Sequence, residues 1–328
     1  MELKKLNIND IIEKEKVKNF VDNINSVDVK QTIEWYELRK EEKIFIYLED
    51  DDGTIVSSYN AFILHNSKSN YNILYLPRGP VFNDKYIDFK ESIKYIVEYA
   101  KKNNFKYIRL NPNIKKENLN YEELIKSGYK INVTKENDYN NQREPYREAI
   151  LNLKNKNSDE ILNKLNQKTR YNIRKSIKND FEVNVADKFD LNAFYNLYLQ
   201  TAERHDFTPH PISYFEELIE IFKDKIVFCT IKYKNEYLAI SINIKQSNTL
   251  FYLYGSSNNK YKNLFASYKM HWSMINYAIK NKFEYYNFGG IFTDDDDIDN
   301  KDYGLLVFKL KFCYDGFTNY NPEAIIEV

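Results

Sequence analysis

The predicted order of strands and helices occurs twice along the chain, and this repeat limits the possible folds more than any other sequence feature. In the first half, runs of β-branched and aromatic residues predict two strands around the turn at Asp51–Gly53 and a third strand at 71–76. An amphipathic helix at 89–102, a strand at 107–110 and a short helix at 121–127 follow.

The second half predicts the same order after a group of helices. Its predicted elements are helices at 158–179, 189–205 and 211–222, a hairpin at 226–232 and 237–245, a strand at 250–254, a helix at 266–280, a strand at 285–288, and closing strands at 308–312 and 319–328. Such a repeat is typical of two copies of one α/β domain. A polar stretch around Pro145 separates the halves, so we predict domain 1 at 1–145 and domain 2 at 146–316.

The 48 basic and 48 acidic residues balance, so an anionic partner must be held by a local basic patch. A protein that coats nucleic acid is usually basic overall, which argues against DNA as a partner. The predicted helical segment KLNQKTRYNIRKSIK, at 164–178, contains no acidic residue. It predicts contacts with phosphates of RNA or of a nucleotide through Lys168, Arg170, Arg174 and Lys175. The alternative is a solvated helix face.

Cysteine and histidine usage indicates neither a disulfide framework nor a metal site. Cys229 and Cys313 are far apart, and the four histidines are scattered. The first residues lack the apolar core of a signal peptide, and no apolar run approaches the ~20 residues that span a bilayer. We therefore expect a cytoplasmic protein without cofactor or metal, which would meet a lipid-linked substrate at the membrane surface.

Three short segments place glycine or charged residues at predicted strand ends. After the strand at 71–76, the sequence Pro-Arg-Gly-Pro makes a rigid turn, where Arg78 and backbone N–H groups would face an anion. The alternative is a loop whose arginine is solvated. The small residues after Tyr254 let a ligand approach the backbone, or they form a tight turn. The pair Gly289-Gly290 ends a predicted strand and requires either special backbone angles or room for something beside it.

The segment GLLVFKLK, at 304–311, alternates in polarity and predicts a strand with Phe308 on one face and Lys309 on the other. A lysine between apolar residues on a strand can lie at the floor of a cleft as a fixed cation. The alternative, which is usual for strand lysines, is a side chain that faces water.

Taken together, these segments resemble the FemABX family, the aminoacyltransferases that build the interpeptide bridges of peptidoglycan. The hairpin-then-helix order also resembles the fold of the GNAT acetyltransferases. The family motifs occur in the family's order over nearly the whole chain; they are QTIEWYELRK (with Gln31 and Trp35), YLPRGPV, KTRYNIRKS, TAERHDF, YLYGSSN, YNFGGI and GLLVFK.

The resemblance implies an α/β (α+β) fold of two GNAT-like domains with a substrate cleft between them. It also implies that residues 317–328 return to domain 1. No helical arm of the kind found in FemA is visible, so the chain is more similar to the short members typified by FemX. The implied reaction transfers Gly, Ala or Ser from aminoacyl-tRNA to the stem-peptide amine of a peptidoglycan precursor. That precursor is either UDP-MurNAc-pentapeptide or lipid II, and the membrane contact would be peripheral.

The resemblance also assigns the reacting centre. Lys309, in the Phe308-Lys309 pair, matches a family lysine that faces the acceptor or the charge developing in the reaction. Because the ester donor is already activated, no covalent enzyme intermediate is required, and no nucleophile motif is present. Cys313 and Tyr314 stand where the family usually has glycines, which implies a different shape near the acyl site.

For substrate binding, the resemblance implies contacts in both domains. Arg204 resembles a family arginine that binds the precursor's phosphates, and Arg39 or Lys40 resembles the basic partner in domain 1. Tyr75 and Tyr254 match tyrosines that line the muropeptide channel.

Two other functions fit the same fold. One is an N-acyltransferase that uses acyl-CoA, although the chain has no good copy of the pyrophosphate loop that opens a helix in such enzymes. The other is a non-catalytic protein that binds cell-wall precursors.

Overall fold

The computed structural model describes residues 1–119, 121–136, 138, 141–258, 260–300 and 302–328. The described chain divides into two compact units. Unit 1 consists of Met1–Arg147 and Thr318–Val328, and unit 2 consists of Glu148–Phe317. The sequence-based prediction placed these boundaries at 145/146 and 316/317.

Up to residue 133 the chain forms, in order, β1 (Glu2–Lys5), α1 (Ile11–Asn23), α2 (Ile33–Leu38), β2 (Lys43–Glu49), β3 (Ile55–Asn66), β4 (Tyr71–Arg78), β5 (Val81–Phe82), α3 (Phe89–Lys102), β6 (Phe105–Pro112), α4 (Tyr121–Lys126) and β7 (Ile131–Val133).

From residue 147 onward it forms β8 (Arg147–Asn152), α5 (Ser158–Lys164), α6 (Gln167–Lys178), β9 (Glu182–Ala186), α7 (Leu191–His205), α8 (Ile212–Phe222), β10 (Ile226–Tyr233), β11 (Glu236–Gln246), β12 (Thr249–Ser257), α9 (Ala266–Lys280), β13 (Tyr285–Ile291), α10 (Tyr303–Leu310), β14 (Thr318–Asn319) and β15 (Ala324–Glu327).

In unit 1 the strands form one mixed sheet in the order β1-β2-β3-β4-β6-β15-β7, with β5 paired to β3. The strands β4 and β6 are parallel and are joined by α3. Helix α3 begins at Asp88, whose carboxylate accepts the backbone N–H of Glu91 at 2.7 Å. Its apolar stripe, Ile93, Ile96, Val97 and Ala100, is buried in the unit 1 core.

Strand β15 lies between β6 and β7 and pairs with both in antiparallel register. Glu323, just before β15, is buried and forms an ion pair with Arg109 of β6. The guanidinium of Arg109 also donates to the carbonyl of Asn141 at 2.5 Å. The segment that returns to unit 1 is therefore held by backbone pairing and by a charged anchor.

Gln31, in the short turn between α1 and α2, ties β3 to β4. Its side chain is fully buried, and Nε2 donates to the carbonyls of Asn60 (3.0 Å) and Pro77 (2.6 Å). Its Oε1 accepts the backbone N–H of Asn60 at 3.0 Å. A Cβ atom at Gly79 would lie 2.8 Å from Nε2 of Gln31, so the approach of this amide requires glycine at that position. The family residue Gln31 is thus a structural clamp in this chain.

In unit 2 the strands follow the order β8-β13-β12-β11-β10-β9, in which β12 and β13 are parallel. The hairpin between β10 and β11 turns at Lys234 and Asn235, which both have positive φ, as a tight two-residue turn requires. Helix α9, at the bounds predicted from sequence, buries Met270, Met274 and Ala278 in the unit 2 core.

Three sequence-based predictions of secondary structure are wrong, two of them only in part. The helix predicted at 158–179 is interrupted, because Leu165 is extended and Asn166 caps α6 by accepting the N–H of Thr169 at 2.8 Å. The strand predicted at 308–312 is the end of α10 and the turn after it. The strand predicted at 319–328 is divided into β14 and β15.

The error at α10 has a physical cause. A run rich in apolar residues satisfies both a strand period and a helix period, so periodicity alone does not separate them. The helix buries Leu306 and Lys309, which are three residues apart, on one face. Neither sequence alternative for Lys309, a strand position at a cleft floor or a strand position facing water, is therefore correct as stated.

Candidate functional site

Lys309 is a buried cation in unit 2. Its side chain leaves α10, only 6% of the residue's surface is exposed, and Nζ donates a hydrogen bond to the carbonyl of Gly290 at 2.9 Å. Burial lowers the pKa of Lys309 to about 8, and the negative charge of Glu148 acts in the opposite direction. Lys309 is therefore an ammonium donor at neutral pH, and its pKa lies only slightly above that pH.

The turn at Gly289-Gly290 receives this ammonium. Gly289 has φ +84°, which L side chains rarely adopt, and a Cβ atom there would lie 3.6 Å from Nζ of Lys309. Asn287 holds the turn because its Oδ1 accepts the backbone N–H of Gly289 at 2.7 Å. Of the two explanations that the sequence offered for the glycine pair, special backbone angles are present.

Aromatic rings pack around Phe308, the residue that precedes Lys309. Phe308 packs edge-on against Tyr268 and Phe312, with ring centroids 5.5 and 5.6 Å away. His271 lies 5.5 Å from the ring of Phe308, and its Nδ1 is 3.1 Å from the hydroxyl of Tyr286. Burial, together with the charge of Lys309, lowers the pKa of His271 to about 3, so His271 is neutral.

A second group of predicted residues lies at the ends of α7 and β12. Arg204, in the last turn of α7, donates to the carbonyl of Ser257 at 3.1 Å. The hydroxyls of Tyr254 and Tyr214 are 2.9 Å apart, and His210 stacks on Tyr214 at 4.2 Å. This group offers a guanidinium and aromatic hydroxyls near the C-terminal end of β12, an interior strand of the unit 2 sheet.

Gly255, which follows Tyr254, leaves no room for a side chain. A Cβ atom there would lie 1.7 Å from the hydroxyl of Tyr252, whose ring packs 4.7 Å from His271. We expect Gly255→Ala to lower the free energy of unfolding by about 1–3 kcal/mol in urea titrations, because the tyrosine must move.

Gly304→Ala is the control for this prediction. Gly304 lies in the first turn of α10, and no atom lies within 4 Å of the position of its Cβ. This change is expected to stabilise the protein by up to about 1 kcal/mol, because alanine favours the helix. Equal effects of the two changes would show that the contact with Tyr252 does not constrain position 255.

Helix α6 carries the predicted basic patch in unit 2. Lys168, Arg174 and Lys178 are exposed, and Tyr171 between them is 59% exposed. The guanidinium of Arg170 donates to the carbonyls of Asn163 and Leu165, so it caps the C-terminal end of α5. Lys175 is half-buried, with Nζ 5.2 Å from the centre of the Phe265 ring.

In unit 1 the predicted residues Arg39 and Tyr75 approach the same ring. The guanidinium of Arg39 lies 5.9 Å from the ring centre of Phe62, and the ring of Tyr75 lies 6.4 Å from it. Arg39 is also 5.7 Å from the ring of Trp35 and forms an ion pair with Glu41.

Tyr75 is buried, and its hydroxyl lies 3.5 Å from Oε1 of Glu144, which forms an ion pair with Lys30. Burial, reinforced by Glu144, raises the pKa of Tyr75 well above its usual range, so its hydroxyl is protonated. Lys40, the other domain 1 candidate, is exposed.

Arg78 is not solvated, so that alternative is wrong. Its side chain is fully buried, where Nη2 donates to the carbonyl of Pro145 at 2.7 Å. Nε lies 3.9 Å from the Asp28 carboxylate, and the guanidinium lies 4.6 Å from the ring centre of Tyr320. These contacts within unit 1 favour a structural role for Arg78 over the predicted contact with an anion.

The sequence did not indicate Glu148, Asn287 or His271, although all of them belong to the surroundings of Lys309. Glu148 lay in the polar stretch around Pro145 that we predicted to separate the two domains. His271 was one of four scattered histidines. Asn287 lies within the YNFGGI motif, where its position two residues before Gly289 was the only available signal.

Among the described residues, no helix combines the length and apolar character needed to cross a bilayer. Within the same residues, no three or more His, Cys, Asp or Glu side chains are grouped so that they could hold a metal ion.

Comparison with solved structures shows a fold shared with FemX and with a tandem GNAT protein. The crystal structure of FemX aligns with a TM-score of 0.85 over 100% of this chain and 98% of that chain, at 20% identity. A tandem GNAT protein from the clavulanic acid biosynthesis pathway aligns with a TM-score of 0.53 over 100% and 98% of the two chains, at 8% identity.

The sequence comparison gives the family. Residues 12–236 and 229–317 match the FemAB family, and the chain belongs to it. It is 25% identical to the UDP-N-acetylmuramoylpentapeptide-lysine N(6)-alanyltransferase of Weissella viridescens, covering 97% of this chain and 94% of that protein. It is 24% identical to the lipid II:glycine glycyltransferase of Staphylococcus epidermidis, covering 86% and 82%.

Proposed function

We propose that this protein transfers an amino acid, Gly, Ala or Ser, from aminoacyl-tRNA to the stem-peptide amine of a peptidoglycan precursor in the cytoplasm. Family membership and the activities in the names of its relatives support this proposal. The structural observation that carries it is the buried ammonium of Lys309, held at the Gly289-Gly290 turn.

The proposed reaction is aminolysis of an ester. The amine nitrogen of the acceptor attacks the carbonyl carbon of the aminoacyl ester, and the new C–N bond forms as the carbonyl oxygen becomes an oxyanion. The oxyanion then re-forms the C=O bond as the C–O bond to the ribose breaks, and a proton from the attacking nitrogen passes, by way of the base, to the leaving ribose oxygen. Lys309 donates a hydrogen bond to the oxyanion, in a buried setting where such a contact is worth far more than in water. Phe308 forms an apolar wall beside it.

The attacking amine must lose its proton, since a free lysine has a pKa of about 10.4. No carboxylate of the chain is assigned to this step, and we propose the precursor's own carboxylate as the base. Positioning of the two substrates supplies the remaining acceleration.

For the acceptor, we propose that Arg204 binds the phosphates of the precursor and that Tyr254 lines the channel for its peptide. In domain 1, Arg39 is a stronger candidate than Lys40 for binding the precursor. The contacts of Arg39 with Trp35 and Phe62 preorganise its guanidinium. We also propose Tyr75 as a contact of domain 1 with the peptide of the precursor. A lipid-linked acceptor would be met by peripheral contact with the membrane surface.

For the donor, we propose that the exposed face of α6 binds phosphates of the tRNA. Lys168, Arg174 and Lys175 supply the charge, and the exposed ring of Tyr171 offers a surface on which an unpaired base can stack. Arg170, also predicted for this role, contributes its positive charge at the α5–α6 junction while it caps α5.

We expect the double change Lys168→Ala with Arg174→Ala to weaken aminoacyl-tRNA binding and to flatten its salt dependence. Each lost phosphate contact should reduce the slope of log K against log [salt] by roughly 0.7–0.9. The matched control is Lys90→Ala with Lys94→Ala, two exposed lysines one turn apart on α3 of unit 1. An unchanged slope in the α6 variant would remove α6 from the RNA-binding surface.

The function is tested by incubating the purified protein with radiolabelled aminoacyl-tRNAs and with UDP-MurNAc-pentapeptide or lipid II. Transfer of label to either acceptor is the expected result, and it would identify the amino acid and the acceptor together. If the folded protein transfers nothing to either one, the proposal is wrong. Acetyl-CoA with the same acceptors would then test the acyl-CoA alternative, and precursor binding without turnover would indicate a binding protein.

A further inference from the structure

A buried carboxylate is connected to the Lys309 site through one amide. Glu148, on β8, is 4% exposed, and its Oε2 accepts a hydrogen bond from Nδ2 of Asn287 at 2.7 Å. Asn287, on β13, is 3% exposed, and its Oδ1 accepts the N–H of Gly289 at 2.7 Å. The next residue, Gly290, provides the carbonyl that accepts Nζ of Lys309. A continuous path of contacts therefore runs from Glu148 to the ammonium.

Among the titratable groups that act on Lys309, Glu148 is the one that most favours its charged form. On α9, His271 is neutral, as argued above. Beyond α10, burial raises the pKa of the Cys313 thiol to about 12, so that group is neutral as well. Asp302, just before α10, also favours the charged form of Lys309, but it acts less strongly than Glu148. A buried ammonium is costly unless an anion compensates it, and Glu148 is the strongest such anion for Lys309.

We propose that Glu148 and Asn287 form a positioning pair for Lys309. The carboxylate keeps the buried lysine in its ammonium form. Asn287 links this carboxylate to the backbone turn whose carbonyl accepts the hydrogen bond from Nζ. In this proposal the pair acts through Lys309 and not by contact with a substrate. Its effect on turnover rests on the proposed function, but its effect on the charge of Lys309 does not.

The charge of Lys309 can be measured without any substrate. Protein prepared with ¹³C-labelled lysine gives a Cε resonance for Lys309, assigned by its loss in Lys309→Met, and a pH titration follows its deprotonation. We expect the midpoint in Glu148→Gln to fall by roughly one pH unit or more relative to the wild type. Glutamine keeps the shape of the side chain and an acceptor for Asn287. Asp302→Asn is the matched control and should shift the midpoint less.

A second variant covers failure of Glu148→Gln to fold. Glu148→Asp keeps the charge but moves it back by one methylene. Its midpoint should lie between those of the wild type and Glu148→Gln. If Glu148→Gln does not fold, the midpoint of Glu148→Asp should still lie below that of the wild type. A wild-type midpoint in any folded Glu148 variant would overturn the proposal. So would a shift in Asp302→Asn as large as that in Glu148→Gln.

Turnover provides the second readout. If Lys309 acts as an ammonium, the alkaline limb of the kcat–pH profile should move down in Glu148→Gln by the same amount as the resonance. A shifted resonance with no transfer activity in any form of the protein would uphold the positioning pair and refute the proposed function. An unshifted resonance in an active enzyme would refute the positioning pair and uphold the proposed function.

Discussion

Replacing Lys309 with methionine is expected to lower the rate of aminoacyl transfer by about two to three orders of magnitude, while the Kd for the precursor changes only a few-fold. Methionine keeps a long unbranched chain at this buried position but has no hydrogen to donate. Removing one preorganised donor from an oxyanion site costs roughly 10²–10³ in turnover. Single-turnover rates and equilibrium binding of the nucleotide-linked precursor separate the two effects.

The control for this prediction is Lys311→Met, which makes the same chemical change two residues away, just after α10. Its Nζ lies 5.8 Å from the ring centre of Phe308, and the side chain is half-buried. Near-normal turnover is expected in this variant. Equal losses of turnover and of precursor binding in Lys309→Met would instead assign Lys309 to substrate binding.

The second large effect is expected for stability. Gln31→Leu should lower the free energy of unfolding by about 3–5 kcal/mol, because it leaves the N–H and carbonyl of Asn60 and the carbonyl of Pro77 without their buried partner. Each such unpaired group costs roughly 1–3 kcal/mol. Urea unfolding, followed by circular dichroism, measures the change.

A leucine at Gln167 tests whether the loss at Gln31 comes from the clamp. Gln167 begins α6 and is exposed, so Gln167→Leu should alter stability by no more than about 0.5 kcal/mol. A similar small effect at Gln31 would mean that β3 and β4 are held together without its amide.

The sequence predicted those elements whose local pattern and tertiary environment agree. Helices α3 and α9 begin and end at the predicted residues, because each presents regularly spaced apolar residues to its core. Both hairpins were predicted from their turn residues, although the second turn, predicted at Asn235-Glu236, lies one residue earlier, at Lys234-Asn235.

The remaining elements depend on contacts that a local pattern does not contain. Helix α1 is polar over most of its surface and buries Val17 and Val21, so its periodicity is weak. In α10 the core accepts a lysine on its buried face, which reverses the usual rule that charge marks the outside.

The candidate site was predictable only in part for a related reason. Resemblance to a family indicated Lys309, but its environment comes from β8, β13 and α9, which are distant in sequence. Glu148 and His271 became recognisable only when the fold placed them around the ammonium. For Arg78, the alternative of a solvated arginine assumed an exposed turn, whereas the side chain is directed inward toward Asp28 and Tyr320.

The position of β15 has a consequence for biosynthesis. Unit 2 is continuous in sequence, whereas the unit 1 sheet needs residues 324–327 to fill the place between β6 and β7. A ribosome synthesises unit 2 completely before it reaches that strand. During translation the facing edges of β6 and β7 must therefore wait, unpaired, for the whole of unit 2 to emerge. An open strand edge is a template for wrong pairing, so chains stalled before residue 324 should be the form that aggregates.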